Sequence, residues 1–247
     1  MGERSGIEWT DATWNPWRGC TKVSPGCAHC YMFREQIRYG RDPEVVVRSK
    51  TTFGDPLKWA EPRVVFTCSW SDWFHEAADP WRDEAWDVIR RTPQHTYLVL
   101  TKRIERAESR LPWSAFGDPW PNVWLGVSVE NQRFAHRLAI LNTIPVTVRF
   151  LSAEPLLGPL AISEHLGPQR VSWVIVGGES GPEQRPMALS WARAIRDQCQ
   201  QRDALLFLKQ LGGWPDKRGG ASATLDGRRW TERPAVSMRP QPPHEGP

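Results

Sequence analysis

From Arg63 onward, short apolar runs rich in β-branched and aromatic residues recur: VVFTCSW from Val64, TYLVLTK from Thr96, VWLGVSV from Val123, TVRFLSA from Thr147, VSWVIVGG from Val171 and ALLFLKQ from Ala204. Their starts lie 32, 27, 24, 24 and 33 residues apart, which leaves room for a crossover between successive runs. Several are followed by amphipathic stretches. Asp79, with Pro80 at the first helical position, opens PWRDEAWDVIRR; Asn131 opens QRFAHRLAILN; Ser190 opens WARAIRDQCQQR. Nearly continuous apolar strands alternating with such helices predict parallel strands joined by right-handed crossovers, so the fold class is α/β, as a barrel or a doubly wound sheet.

Each predicted strand runs out into polar or glycine residues at its C-terminal end. These are Ser69, Ser71 and Asp72; Thr101, Lys102 and Arg103; Ser128, Glu130 and Asn131; Ser152 and Glu154; Gly177, Gly178, Glu179 and Ser180; and Lys209 and Gln210. Ligand sites of α/β folds lie at the carboxyl ends of the strands, so these groups are expected to converge on one mouth. Lys102 and Arg103 are suited to clamp a carboxylate or phosphate, while Glu130 and Glu154 each close a strongly apolar strand and are candidates to bind a ligand. Part of this polarity would arise wherever strands meet water and helices need caps.

Ahead of the first repeat, WNPWRGCTKVSPGCAHCYMFREQ places Cys20, Cys27 and Cys30 within eleven residues. Residues Ile7 to Trp17 are read as a first strand and the stretch from Cys27 as the helix after it, with Gly40 at its C-terminal cap. The three thiols then sit on a loop entering a helix, where the helix N-terminus favours thiolate. Cys68, in an apolar run, and Cys199, in a helical one, read as ordinary buried thiols.

Composition fits this picture. The 247 residues suffice for one sizeable domain, expected over 1–213, with an irregular Pro-, Gly- and Arg-containing extension over 214–247. The 32 basic and 28 acidic residues leave +4, with no basic cluster that would by itself signal nucleic acid. Fifteen tryptophans are mostly core; Trp14 and Trp17 flank the cysteine loop, and Trp70 and Trp73 at a strand end could stack on an adenine or a nucleobase, which keeps a nucleic-acid partner open. No apolar run is long enough to cross a bilayer, MGERSGIEWTD lacks the apolar core of a signal peptide, and the expected location is the cytoplasm. Clustered thiols there suggest metal binding or catalysis before a disulfide framework.

The cysteine loop after an initial strand, followed by repeated strand and helix units, resembles the radical S-adenosylmethionine (SAM) superfamily. WNPWRGC, GCAHCY, LTKR, WLGVSVEN, FLSAEPLLGP and VIVGGESG further resemble a poorly characterised three-cysteine phage-protein family, over about Gly6 to Gly213. The resemblance implies a partial or complete TIM-type barrel, a 4Fe-4S cluster on Cys20, Cys27 and Cys30, SAM as cofactor, an external electron donor and a 5′-deoxyadenosyl radical as the species that attacks substrate. It also implies that His29, before the last cysteine, meets the adenine. Two features depart from the superfamily pattern. The spacing is C-x6-C-x2-C where a three-residue first gap is commonest, and the Gly-Gly-Glu element falls at Gly177, Gly178 and Glu179 on a late strand. Ser69 and Asp72, near the expected place of that element, are therefore candidates for the SAM amino group, and the two glycines for close backbone approach to cofactor or substrate. The competing reading is a non-enzymatic interaction module in which zinc is held by the cysteines with His29 or a distant ligand such as His75.

Overall fold

The computed structural model describes residues 4–113 and 118–236. Its strands are β1 (Ala12–Trp14), β2 (Trp17–Arg18), β3 (Val47–Arg48), β4 (Val64–Thr67), β5 (Thr96–Thr101) and β6 (Val123–Ser128). They continue as β7 (Val148–Ala153), β8 (Val171–Gly177), β9 (Leu205–Gln210), β10 (Thr224–Leu225) and β11 (Arg228–Arg229). The helices are α1 (Tyr31–Arg38), α2 (Asp79–Arg90), α3 (His136–Thr143) and α4 (Leu189–Gln201).

Seven strands form one sheet in the order β1-β4-β5-β6-β7-β8-β9, every neighbouring pair parallel. The order follows the chain, so the sheet curls into an open half-barrel, a partial TIM-type barrel, with its edges at β1 and β9.

The period-two alternation of the strands divides the core. One face carries Val65, Tyr97, Val99, Leu125, Val127, Leu151, Val174, Val176, Leu206 and Leu208, which pack with Trp86 and Ile89 of α2, Leu138 of α3 and Ile195 and Cys199 of α4. The other carries Phe66, Leu98, Trp124, Phe150, Trp173, Ile175 and Phe207, joined by Trp9 from the N-terminal segment. Burying both faces is why these strands read as continuous apolar runs. Large rings crowd the second face: Phe150 lies 5.7 Å and Trp124 6.1 Å from Trp173, ring centre to ring centre.

Several boundaries differ from those the sequence suggests. The first strand spans only Ala12–Trp14, because Pro16 cannot continue the ladder; Trp17–Arg18 turns away to pair antiparallel with Val47–Arg48. The helix expected from Cys27 starts at Tyr31, after a short 3-10 turn over Pro25–Cys27, and Gly40 follows it with φ +65°. The third helix begins at His136 after a 3-10 turn capped by Asn131, whose side chain accepts from the Arg133 amide at 3.1 Å. Cys68 lies one residue beyond β4, buried as expected, with φ +53°.

The segment after Trp214 returns along β9. The Leu208 amide donates to Trp230 O at 2.8 Å, the Glu232 amide to Leu206 O at 3.0 Å, and Trp173 Nε1 to Glu232 O at 2.9 Å. It thereby occupies hydrogen-bonding groups that an edge strand would otherwise leave open.

Gly126 sits where the ring of Phe150 leaves no room, and a Cβ there would lie 2.4 Å from the ring. Gly126→Ala is expected to destabilise the protein by about 1–3 kcal/mol through overpacking, measured as a lower denaturation midpoint with an unchanged slope in urea.

Candidate active site at the strand ends

Because all seven strands run the same way, their C-terminal ends open on one mouth, and the cysteine loop lies across it. A cavity of about 540 Å³ lies between loop and mouth. Its wall includes Cys20, Cys27 and Cys30, His29, Ser69 and Asp72, Lys102, Glu154, Gly178 and Glu179. Of the three cysteines, His29 and the strand-end residues named as cofactor or ligand candidates, all but two thus border one space. The other two, Glu130 and Gly177, stand behind the wall: Glu130 is fully buried, and Gly177 gives passage to Glu154, whose Oε2 would be 2.7 Å from a Cβ at that position.

The strand ends hold the loop. From β4, Ser71 Oγ donates to Gly19 O at 2.5 Å, and the Gly19 amide donates to Trp70 O at 3.1 Å. From β5, Arg103 donates to Thr21 O at 3.0 Å, to Thr21 Oγ1 at 2.7 Å and to the Cys20 sulfur at 3.6 Å. From β6, Glu130 accepts from Ser24 Oγ at 2.5 Å, backed by Arg137 and Lys102, each at 3.3 Å. From β8, Glu179 accepts from Arg185 and faces His29 Nδ1 at 3.2 Å, while Arg185 Nη2 also donates to Pro25 O at 3.0 Å.

Several of the predicted ligand groups are engaged with the protein itself. Asp72 is 5% exposed and accepts from Thr101 Oγ1 at 2.7 Å, the Phe74 amide at 2.9 Å and the Lys102 amide at 2.9 Å, with Arg103 at 3.5 Å. Its acceptor capacity is spent within the protein. Gly178 serves close packing, since a Cβ would come within 2.2 Å of Leu211 O. The pair Glu154–Lys209, at 2.7 Å, lies on the wall without reaching the loop, as do Ser128 and Ser152, opposite one another on β6 and β7. Ser152 Oγ also donates to Glu154 Oε1 at 3.3 Å. Trp9 lines the same cavity, and its buried Nε1 has no hydrogen-bond partner among the described residues.

The three thiols are free and half-buried. Burial, with a smaller push from the Asp72 charge, drives the Cys20 thiol up to about 12 against the opposing pull of Arg103. Burial also raises Cys30, although the amides of Met32 and Phe33 at the start of α1 act on its sulfur in the opposite sense. At Cys20 and Cys30 desolvation therefore outweighs the expected preference for thiolate. Among the described residues, no three His, Cys, Asp or Glu side chains gather as donors to a single ion would. Both nitrogens of His75 face protein partners, Nδ1 accepting from the Ala77 amide and Nε2 facing Thr21 Oγ1 at 3.1 Å. His29 Nε2 lies 3.6 Å from Glu183.

Arg137 and Arg185 escaped the sequence reading. Arg137 carried a signal, a cation on the apolar side of α3 beside Leu138 and Leu141, all three buried. Arg185 carried none, standing in an irregular stretch before α4 and meeting Pro25 from 160 residues away.

Burial raises the Glu179 carboxyl, but the hydrogen bonds and charge of Arg185, with a further bond from His29, hold it below the ordinary glutamate range. The folded-state value being depressed, the Glu179–Arg185 pair contributes its full stability above pH 4.5 and loses it as pH falls through the folded value. Glu179→Gln is expected to be less stable than wild type at pH 6 and to narrow that gap toward pH 3, as followed by urea denaturation across the range.

No curated protein and no solved structure matches the chain. One family model does, over residues 4–234, and by that match the chain belongs to the family described as proteins of unknown function, DUF5131.

Proposed function

We propose that this protein is a radical SAM-type enzyme that holds a 4Fe-4S cluster on Cys20, Cys27 and Cys30 and takes SAM in the adjoining cavity. The observation that carries the reading is the position of three free thiols on a loop across the C-terminal mouth of a parallel half-barrel, bordering a cavity of about 540 Å³. The donor set is uniformly soft, which suits iron and sulfide. The zinc alternative would need every ligand about 2.3 Å from a single centre, whereas three thiolates of a cubane bind three separate irons.

Cys20, Cys27 and Cys30 would hold the cluster, and with SAM and one electron from an external donor it would supply reductive cleavage of a SAM carbon–sulfur bond, releasing methionine, and hydrogen abstraction from a substrate. The chain's own residues have more ordinary tasks. Arg103, Glu130 and the Glu179–Arg185 pair hold the loop in place. His29, restrained by Glu179, borders the cavity where it can meet the adenine. Ser69 presents polar groups at the end of β4, its Oγ 3.0 Å from Asn15 Nδ2 and its carbonyl bonded to Tyr31. Ser128, Ser152, Glu154 and Lys209 face the substrate side. Trp9 and Phe66 add aromatic surface to the cavity wall. No helix among the described residues is long and apolar enough to cross a membrane.

Anaerobic reconstitution followed by iron and sulfide analysis tests the ligand assignment. Wild type is expected to take up about four irons per chain, Cys20→Ala, Cys27→Ala and Cys30→Ala to lose the stable four-iron species, and Cys199→Ala, altered in the helical core, to retain it. Full cluster retention in all three loop variants would contradict the assignment.

A further inference from the structure

Lys102 and Arg103 are consecutive at the end of β5, yet they serve different anchors. Lys102 Nζ is 3.3 Å from Glu130, whereas the guanidinium of Arg103 turns under the cysteine loop, where only 7% of the residue is exposed. Its Nη2 donates to both oxygens of Thr21, and its Nη1 reaches the Cys20 sulfur at 3.6 Å. Asp72 lies 3.5 Å from the same Nη1 and is itself held by the Thr101 hydroxyl and two backbone amides, while Glu76 faces Nε at 3.6 Å. Lysine could supply the charge but not a planar fork that bonds a carbonyl, a hydroxyl and a sulfur at once.

Resting on the reading of the three cysteines as cluster ligands, we infer that Arg103 is a positioning residue that sets the reduction potential of the cluster through its hydrogen bond to the Cys20 sulfur. The physical basis is electrostatic. Adding one electron to an iron–sulfur centre increases the negative charge shared by its sulfur ligands. A buried donor cation fixed against one of those sulfurs stabilises the reduced form more than the oxidised form. Because Asp72 and Thr21 orient the guanidinium in advance, little reorganisation accompanies reduction. A loop clamp alone would need the bonds to Thr21 but not the one to sulfur.

The test is a reduction-potential measurement by electron paramagnetic resonance on reconstituted full-length wild type, Arg103→Met and Arg103→Lys, with iron and sulfide content determined on the same samples and dithionite as reductant. Loss of one charge-assisted hydrogen bond is expected to lower the reduced-to-oxidised ratio of Arg103→Met about tenfold at a fixed potential, or about 59 mV for a one-electron couple. Arg103→Lys is expected to fall between Arg103→Met and wild type. Full iron content with the wild-type potential in Arg103→Met would overturn the inference. If that variant fails to fold or to hold four irons, Arg103→Lys decides: a lower potential supports the role of the fork, and the wild-type potential overturns it. A wild-type chain that takes up no four-iron cluster would overturn the functional reading itself and this inference with it.

Discussion

The parallel ladder is the constraint on which the rest depends. Seven strands that all run one way deliver seven C-terminal ends to a single mouth. Polar side chains at four of those ends, on β4, β5, β6 and β8, then tie down a loop drawn from the first 30 residues. A long irregular loop has few backbone partners of its own, so side chains from elsewhere must satisfy its carbonyls and hydroxyls if it is to sit close to a buried space. Ser71, Arg103, Glu130 and Arg185 do this for Gly19, Thr21, Ser24 and Pro25 in turn.

The buried charges at the mouth follow from the same requirement. Glu130 is matched by Lys102 and Arg137, Asp72 by Arg103, Glu179 by Arg185, and Glu154 by Lys209. An isolated buried carboxylate would be costly, and each acid here has at least one base within 3.5 Å. The first three bind or brace the cysteine loop, whereas Glu154–Lys209 touches only the cavity wall. The mouth thus divides into a side that holds the cysteine loop and a side whose ion pair lines the cavity alone.

Much of this was legible in the sequence because the physics is periodic. The apolar runs from Val64, Thr96, Val123, Thr147, Val171 and Ala204 became β4 to β9, and the polar residues ending them gathered at one end as the α/β rule requires. Less legible was what each polar residue does there. Asp72 and Glu130 read as ligand-binding groups because a carboxylate after an apolar strand is compatible with either role, and only three-dimensional partners such as Ser24 and Thr101 distinguish them. The tail from Trp214 read as irregular because its pairing with β9 uses backbone atoms of Trp230 and Glu232, which leave no periodic side-chain signature. The onset of α1 was misplaced by four residues since Cys27, Ala28, His29 and Cys30 lack any strong breaker, and Cys30 adopts an extended ψ of 126° at the helix entrance.

The most direct measurement is electron paramagnetic resonance of the anaerobically reconstituted, reduced protein with and without SAM. A four-iron signal that changes on adding SAM is the predicted result, since it requires both three-thiolate ligation and an iron open to the cofactor. Zinc in place of iron, or a four-iron signal indifferent to SAM, would contradict the proposal that Cys20, Cys27 and Cys30 build a radical SAM site.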